Sequence, residues 1–225
     1  MIKISVGTKS VLFGAHCFFL HPWFVAWGWW TLYGFPVDPR LWVAFFVHDI
    51  GYIGKPNMDG PEGERHPELG ARIMSALCDR PFRTGVWASF VTPDNRTLDV
   101  AGRWGRFSLL HSRYYAKTLG LQPSRLCMAD KLAIALTPTW LYLPMVRATG
   151  EIREYMAHAK HRAQGNINIS SKELQRVTSS SEHEWHAGVQ SYCSRWAYEH
   201  ADGKVDTWTS DARNRATVNE YGVWK

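Results

Sequence analysis

The 225-residue sequence predicts an all-α fold. Two observations predict it. Helix start and stop signals recur along the chain: Asp38-Pro39 opens one segment that Gly51 closes, and Ser124 and Pro138 bracket another. Apolar positions also repeat at helical spacing, as Trp23, Trp27 and Trp30 near the start and as Trp185, Val189, Tyr192 and Trp196 near the other end.

The elements follow in order. Between Val11 and Val37 no residue is charged, which is long enough to cross a bilayer. His16, His21 and Pro22 interrupt this stretch, and aromatics stand where Leu, Ile and Val would dominate a span. A buried helix beginning near Pro22 is therefore expected. Its tryptophans are expected in the core, with a base-stacking wall as the lesser alternative. "DPRLWVAFFVHDIG" (38–51) is the second helix, and "HPELGARIMSALC" (66–78) the third, after the Gly/Pro-rich loop 54–65. Residues 80–103 are rich in turn formers and are expected to be loops with at most a short helix. "FSLLHSRYYAKTLG" (107–120) reads as one helix closed by Gly120. The segment 124–138 follows, capped by Ser124, and 142–163 is helical with a break near Gly150. Beyond Gly165 the chain turns polar. Capping boxes stand at Ser170/Glu173 and Ser181/Glu184, and a loose tail is anchored at most by Trp208, Tyr221 and Trp224.

Composition narrows the function classes. A net charge of +6 favours anionic partners, but no Lys/Arg run resembles a nucleic-acid arm. The 12 tryptophans point to a heavily aromatic core or pocket. Cys17, Cys78, Cys127 and Cys193 share no CxxC spacing, so free buried thiols are expected instead of disulfides or a zinc site. The first residues lack a signal-peptide layout, and a cytoplasmic protein without membrane attachment is expected.

The chemistry is concentrated at "FFVHDIGYIG", where an apolar run ends in His48-Asp49. His66 follows after a polar loop. His21, His111 and Asp130 occupy positions that are otherwise apolar. An ionised carboxylate on a Leu/Ala/Ile face costs several kcal/mol unless paired or coordinated. Imidazoles and two such acids spread over separate helices are what a metal site in a helical bundle needs.

In this order the residues resemble the HD-domain superfamily of metal-dependent phosphohydrolases over about residues 10–145. "HPWFVAWGWWTLYG" is similar to its first histidine-bearing helix, "VHDIGYIGKP" to its name-giving doublet and "ADKLA" to its closing aspartate. "ERHPELGARIM" is similar to the cyclic-dinucleotide branch, whose Gly-Tyr-Pro signature does not follow His111 here. The resemblance implies an HD-domain helical bundle (1–150); it does not reach the C-terminal helical extension (151–225), which is expected to cap the site, to form an oligomer contact or to serve as helical padding. It implies that His21, His48, Asp49 and Asp130 hold one divalent ion. His66 and His111 match the extra ligands of two-metal members, with Asp49 bridging. His16 is the rival for the first ligand, and His21 fits better as a helix start and in its distance to the doublet.

Imidazole and carboxylate donors suit Mn, Fe, Co, Ni or Zn. Such a pair generates hydroxide near neutral pH for attack on phosphorus. Asp49, Lys55 and Arg113 are the expected catalytic residues; Arg65, Lys117 and Lys131 are weaker candidates for charge stabilisation, and Glu64 or Asp59 for proton donation. His158/His161 and His183/His186 are spaced for chelation but are expected to be exposed. The implied substrate is a nucleotide-like phosphoester or phosphoanhydride. The same six ligands also resemble mixed-valent di-iron oxygenases acting on phosphonates or polyols, and that alternative stays open. A non-catalytic nucleotide sensor is a further rival, which the full donor set argues against.

Overall fold

A computed structural model describes residues 4–79, 87–91, 97–164, 171, 174–175, 178 and 180–201. The order is α1 (Val6–Phe13), α2 (His21–Tyr33), α3 (Pro39–Val47), α4 (Pro67–Met74), β1 (Trp87–Val91), β2 (Thr97–Ala101), α5 (Gly102–Leu109), α6 (Arg113–Thr118), α7 (Arg125–Leu136), α8 (Thr139–Thr149), α9 (Glu151–Gln164) and α10 (Glu182–Ala201). The predicted all-α bundle is present. The Ser170/Glu173 box and Trp208, Tyr221 and Trp224 lie outside the described residues.

The bundle is organised around α2 and α7, which cross closely. A side chain at Gly28 would run into the Ala129 carbonyl at 2.5 Å, so glycine permits the approach. Val25, Ala26 and Trp29 of α2 pack there with Phe45 of α3, Met74, Phe107 of α5 and Ala129 and Ala133 of α7. On the other side of α7, Cys127, Met128 and Leu132 bury Trp196 of α10, so the C-terminal helix shares the bundle core.

Most helix ends follow their local signals. The Asp38 carboxylate accepts the Arg40 amide at 2.9 Å, and Gly150 separates α8 from α9 in the left-handed region. Ser181 and Glu184 form their reciprocal cap: the Glu184 amide donates to the Ser181 hydroxyl at 3.3 Å, and the Ser181 amide to the Glu184 carboxylate at 2.8 Å.

Several expectations are corrected. Residues 107–120 are two helices, not one: α5 ends at Leu109, and the Ser112 hydroxyl accepts the Tyr115 amide to start α6. Ser124 precedes α7, but its hydroxyl donates to the Phe107 carbonyl at 2.7 Å, so tertiary bonding takes the place of the cap. Within 80–103, Trp87–Val91 and Thr97–Ala101 pair as an antiparallel ribbon, Trp87 opposite Ala101. A ribbon this short carries too few alternating positions to stand out from turn-rich sequence. Trp23, Trp27 and Trp30 form the outer face of α2, each more than half exposed, and Trp29 is buried instead. Two residues correspond to roughly 200° of helix rotation. With His21 turned inward, Trp23 must therefore point out.

Among the described residues no helix is long and apolar enough to cross a membrane. All four cysteines are free and buried.

Candidate metal centre

Five elements bring six side chains to one buried point. His21 is the first residue of α2, and His48 and Asp49 sit in the turn that ends α3. His66 immediately precedes α4, His111 lies in the break between α5 and α6, and Asp130 is midway along α7. Each is no more than 8% exposed. Close packing of backbone holds the turn in place: a side chain at Gly51 would strike the His66 carbonyl, and one at Gly70 the Val47 carbonyl.

The donors form two groups that share Asp49. His21, His48, Asp49 and Asp130 make one, and Asp49, His66 and His111 the other; within each, one donor atom per residue lies within 4.8 Å of the rest. Asp49 Oδ2 faces the first group, 3.0 Å from His48 Nε2 and 3.4 Å from His21 Nε2. Its Oδ1 faces the second, 3.4 Å from both His66 Nε2 and His111 Nε2. His21 Nε2 is also 3.0 Å from Asp130 Oδ1. The six residues named from sequence thus come together in two groups with Asp49 common to both, an arrangement that could hold metal ions.

Backbone carbonyls fix the ring orientations. His48 Nδ1 donates to Phe45 O at 2.9 Å, His66 Nδ1 to Gly63 O at 2.7 Å and His111 Nδ1 to Ser108 O at 2.5 Å. A carbonyl only accepts, so each Nδ1 carries hydrogen and each ring, once it is neutral, turns an Nε2 lone pair inward. His66 Nε2 and His111 Nε2 then face each other at 3.1 Å. His48 Nε2 and Asp49 Oδ2 are buried without a partner in hydrogen-bond geometry. Converging lone pairs and orphaned buried donors fit a cation between them.

Without a cation, the two acids favour protons on two of the rings. Burial alone would lower the His21 and His48 pKa values, but Asp49 and Asp130 outweigh it; His21 is raised, and His48 reaches about 10. Burial would raise Asp49 and Asp130, yet both are held well below the usual carboxylate range, Asp49 chiefly by His48 and Asp130 chiefly by Lys131. Burial pushes His66 down and keeps it neutral, with His111 adding to the effect. Lys131 Nζ lies 3.8 Å from Asp130 Oδ2, and that carboxylate overcomes burial to raise its pKa.

The cluster lies at the wall of a cavity of about 770 Å³. Arg113, Lys117, Lys131 and Arg162 supply cationic groups to its lining. Tyr192 Oη accepts from Arg113 at 2.7 Å, and the guanidinium sits 4.8 Å over the Trp196 ring. Lys55, expected beside the site, and Arg65 do not line the cavity; the Lys55 Cβ lies against Gly7 of α1. Glu64 and Asp59 both line it, and burial followed by the Asp59 charge pushes the Glu64 carboxyl up to about 7.

His16 is not among the converging donors but does line the cavity. His186, expected at the surface, is buried: it stacks on Tyr142 at 4.3 Å and pairs with Thr139 through Nδ1 at 3.1 Å. Helix α10 turns that face toward α8, so it serves packing, and burial brings the ring down to about 4. His158 lies 3.4 Å from Asp59.

Sequence reasoning missed Glu151, Tyr155 and Tyr192 as neighbours of the site. Tyr192 lies on the apolar stripe of α10, which was a legible signal. Glu151 had none beyond an acid at a helix start. Comparison with known proteins finds no matching family model, curated protein or solved structure.

Proposed function

We propose that the protein is a metal-dependent phosphohydrolase of the HD type that cleaves a phosphoester or phosphoanhydride of a nucleotide-like substrate. The observation that carries this reading is the pair of donor groups sharing Asp49 on the wall of a cation-lined cavity. Two divalent ions of the Mn, Fe, Co, Ni or Zn series match the imidazole and carboxylate donors. Bound there, such a pair supplies a water nucleophile at neutral pH and neutralises charge on a phosphoryl group.

The remaining work falls to the chain's own groups. His21, His48, His66 and His111 stay oriented and bind through the ring nitrogens that converge, while Asp49 and Asp130 supply the negative charge. Arg113 is braced by Tyr192 and Trp196, which aims its guanidinium for an anionic oxygen. Lys131 sits behind Asp130 and balances the acidic side of the centre. Glu64, pushed up to about 7, holds a proton near neutral pH and is suited to donate it to a leaving oxygen. The cavity is of small-molecule size, and Tyr114, Tyr155 and Trp185 offer ring faces for a base. Free buried thiols suit a reducing compartment, and a cytoplasmic location belongs to the proposal.

The deciding experiment joins elemental analysis of purified protein to a nucleotidase and phosphodiesterase panel under several divalent metals. Phosphate release by wild type, abolished in His48→Ala and Asp49→Ala, is the expected result. Turnover that needs iron and consumes dioxygen would transfer the site to the oxygenase reading.

A further inference from the structure

We propose that the outer aromatic face of α2 and α3 is the contact through which two copies of this chain form a symmetric dimer. The inference does not depend on the phosphohydrolase reading, because no candidate metal ligand and no cavity-lining side chain belongs to this face.

Phe19, Trp23, Trp27, Trp30 and Phe35 each leave more than half of their surface exposed. They belong to one continuous surface. The ring centroids of Trp30, Phe35, Trp42, Trp23 and Phe46 follow one another at 5.9, 6.5, 5.7 and 5.8 Å. Phe18 joins Phe46 to Phe19 at 5.4 and 5.6 Å. Trp27 lies one turn from Trp23 and from Trp30 on the same side of α2. Trp30 meets Phe35, and Trp23 meets Phe46, edge to face, so the rings hold one another in place before any partner arrives.

The area is that of a stable interface. The five rings expose roughly 500–600 Å², from about 150–250 Å² for a whole aromatic side chain. That already equals the largest patch of a typical monomer, about 300–600 Å². Exposed Leu20 and Val37 and partly exposed Trp42 and Phe46 extend it. The whole face reaches the about 800 Å² that each partner gives to a standard interface. Tryptophan is also enriched among the residues that carry binding energy in such contacts.

Charge selects the occupant. Residues 18–37 and 42–46 contain no Asp, Glu, Lys or Arg, and at the edge Asp38 and Arg40 neutralise each other at 2.7 Å. A face that docks on lipid headgroups pairs its aromatics with Lys and Arg, which these segments lack. A charged partner protein would call for charges of the opposite sign. Two copies that each carry a net charge of +6 repel unless their contact is uncharged. A two-fold contact sets one patch against itself, so an uncharged aromatic face complements its own copy where a charged one would not.

The test is sedimentation equilibrium of the full chain at loadings from about 1 to 100 µM, where mass action separates monomer from dimer. Wild type is expected at twice the chain mass. Trp27→Glu, at the centre of the face, should weaken the dimer by about a hundredfold, and Trp27→Ala by about tenfold. Trp27→Ala decides the matter where Trp27→Glu does not fold. Hydroxyl-radical labelling of Trp23, Trp27 and Trp30 should rise as wild type is diluted through its dissociation constant. A dimer as tight in the folded Trp27 variant as in wild type overturns the proposal, since the copies then meet elsewhere. A monomer at every loading overturns it as well. Flotation of that monomer with vesicles of phosphatidylcholine and phosphatidylglycerol would give the face to a lipid surface. Rings shielded from label in that monomer would give it to another segment of the same chain.

Discussion

His66 and His111 point their Nε2 atoms at each other across 3.1 Å while each donates its Nδ1 hydrogen to a carbonyl three residues earlier. Neither neutral ring then has a hydrogen to offer the other. The contact is repulsive unless a proton or a metal ion sits between, and burial disfavours the proton on His66.

Metal stoichiometry follows. Wild type is expected to bind two divalent ions per chain by elemental analysis. His66→Ala should retain one, held by His21, His48, Asp49 and Asp130. Asp49→Ala, which removes a donor from both groups, should fall below one.

Metal binding should release protons. His48 is raised to about 10, so its ring is charged on the metal-free site at neutral pH, and the same two acids raise His21. Each proton displaced makes apparent affinity rise about tenfold per pH unit below the relevant pKa. Calorimetry in two buffers of different ionisation enthalpy counts the protons.

The same groups govern stability of the metal-free protein. The contribution of charged His48 is fully present below 6.5 and is lost as pH rises through about 10. Asp49 and Asp130, depressed in the folded state, contribute above 3.8 and lose it as pH falls further. His66 acts in the opposite sense to His48, its contribution fading as pH falls below 6.5. Melting temperature measured against pH in chelator should therefore fall toward alkaline pH in wild type and fall less in His48→Gln.

Gly51→Ala and Gly70→Ala should each destabilise by roughly 1–3 kcal/mol and reduce metal content, because the added methyl meets backbone of the His66 and His48 segments. Denaturant unfolding and elemental analysis check both effects.

Arg113 and Lys55 should separate cleanly. Arg113→Ala is expected to raise KM about tenfold or more with metal content unchanged, whereas Lys55→Ala should leave KM within about twofold. Trp196→Ala should cost about 3–5 kcal/mol of stability and also raise KM, since the same ring fills the core and supports Arg113.

The helices were legible where ends carry their own chemistry. Asp38-Pro39, Gly150 and the Ser181/Glu184 pair act within a turn of themselves, so local sequence suffices. Residues 107–120 were misread as continuous because the break serves His111, whose place is dictated by partners far along the chain. The outward turn of Trp23, Trp27 and Trp30 was hidden for a related reason. In a helix apolar on all sides, periodicity does not say which face is inside.

The sequence by itself determined a helical bundle and, through the order of its histidines and aspartates and the resemblance they carry, which six side chains to expect together. Tertiary structure alone decided that Asp49 divides its two oxygens between the donor groups, that Arg113 and not Lys55 enters the cavity, and that Ser10 and Glu151 stand behind His16. Those are distances between segments as much as 141 residues apart. Only the packing of helices on one another sets such distances, and no local spacing encodes them.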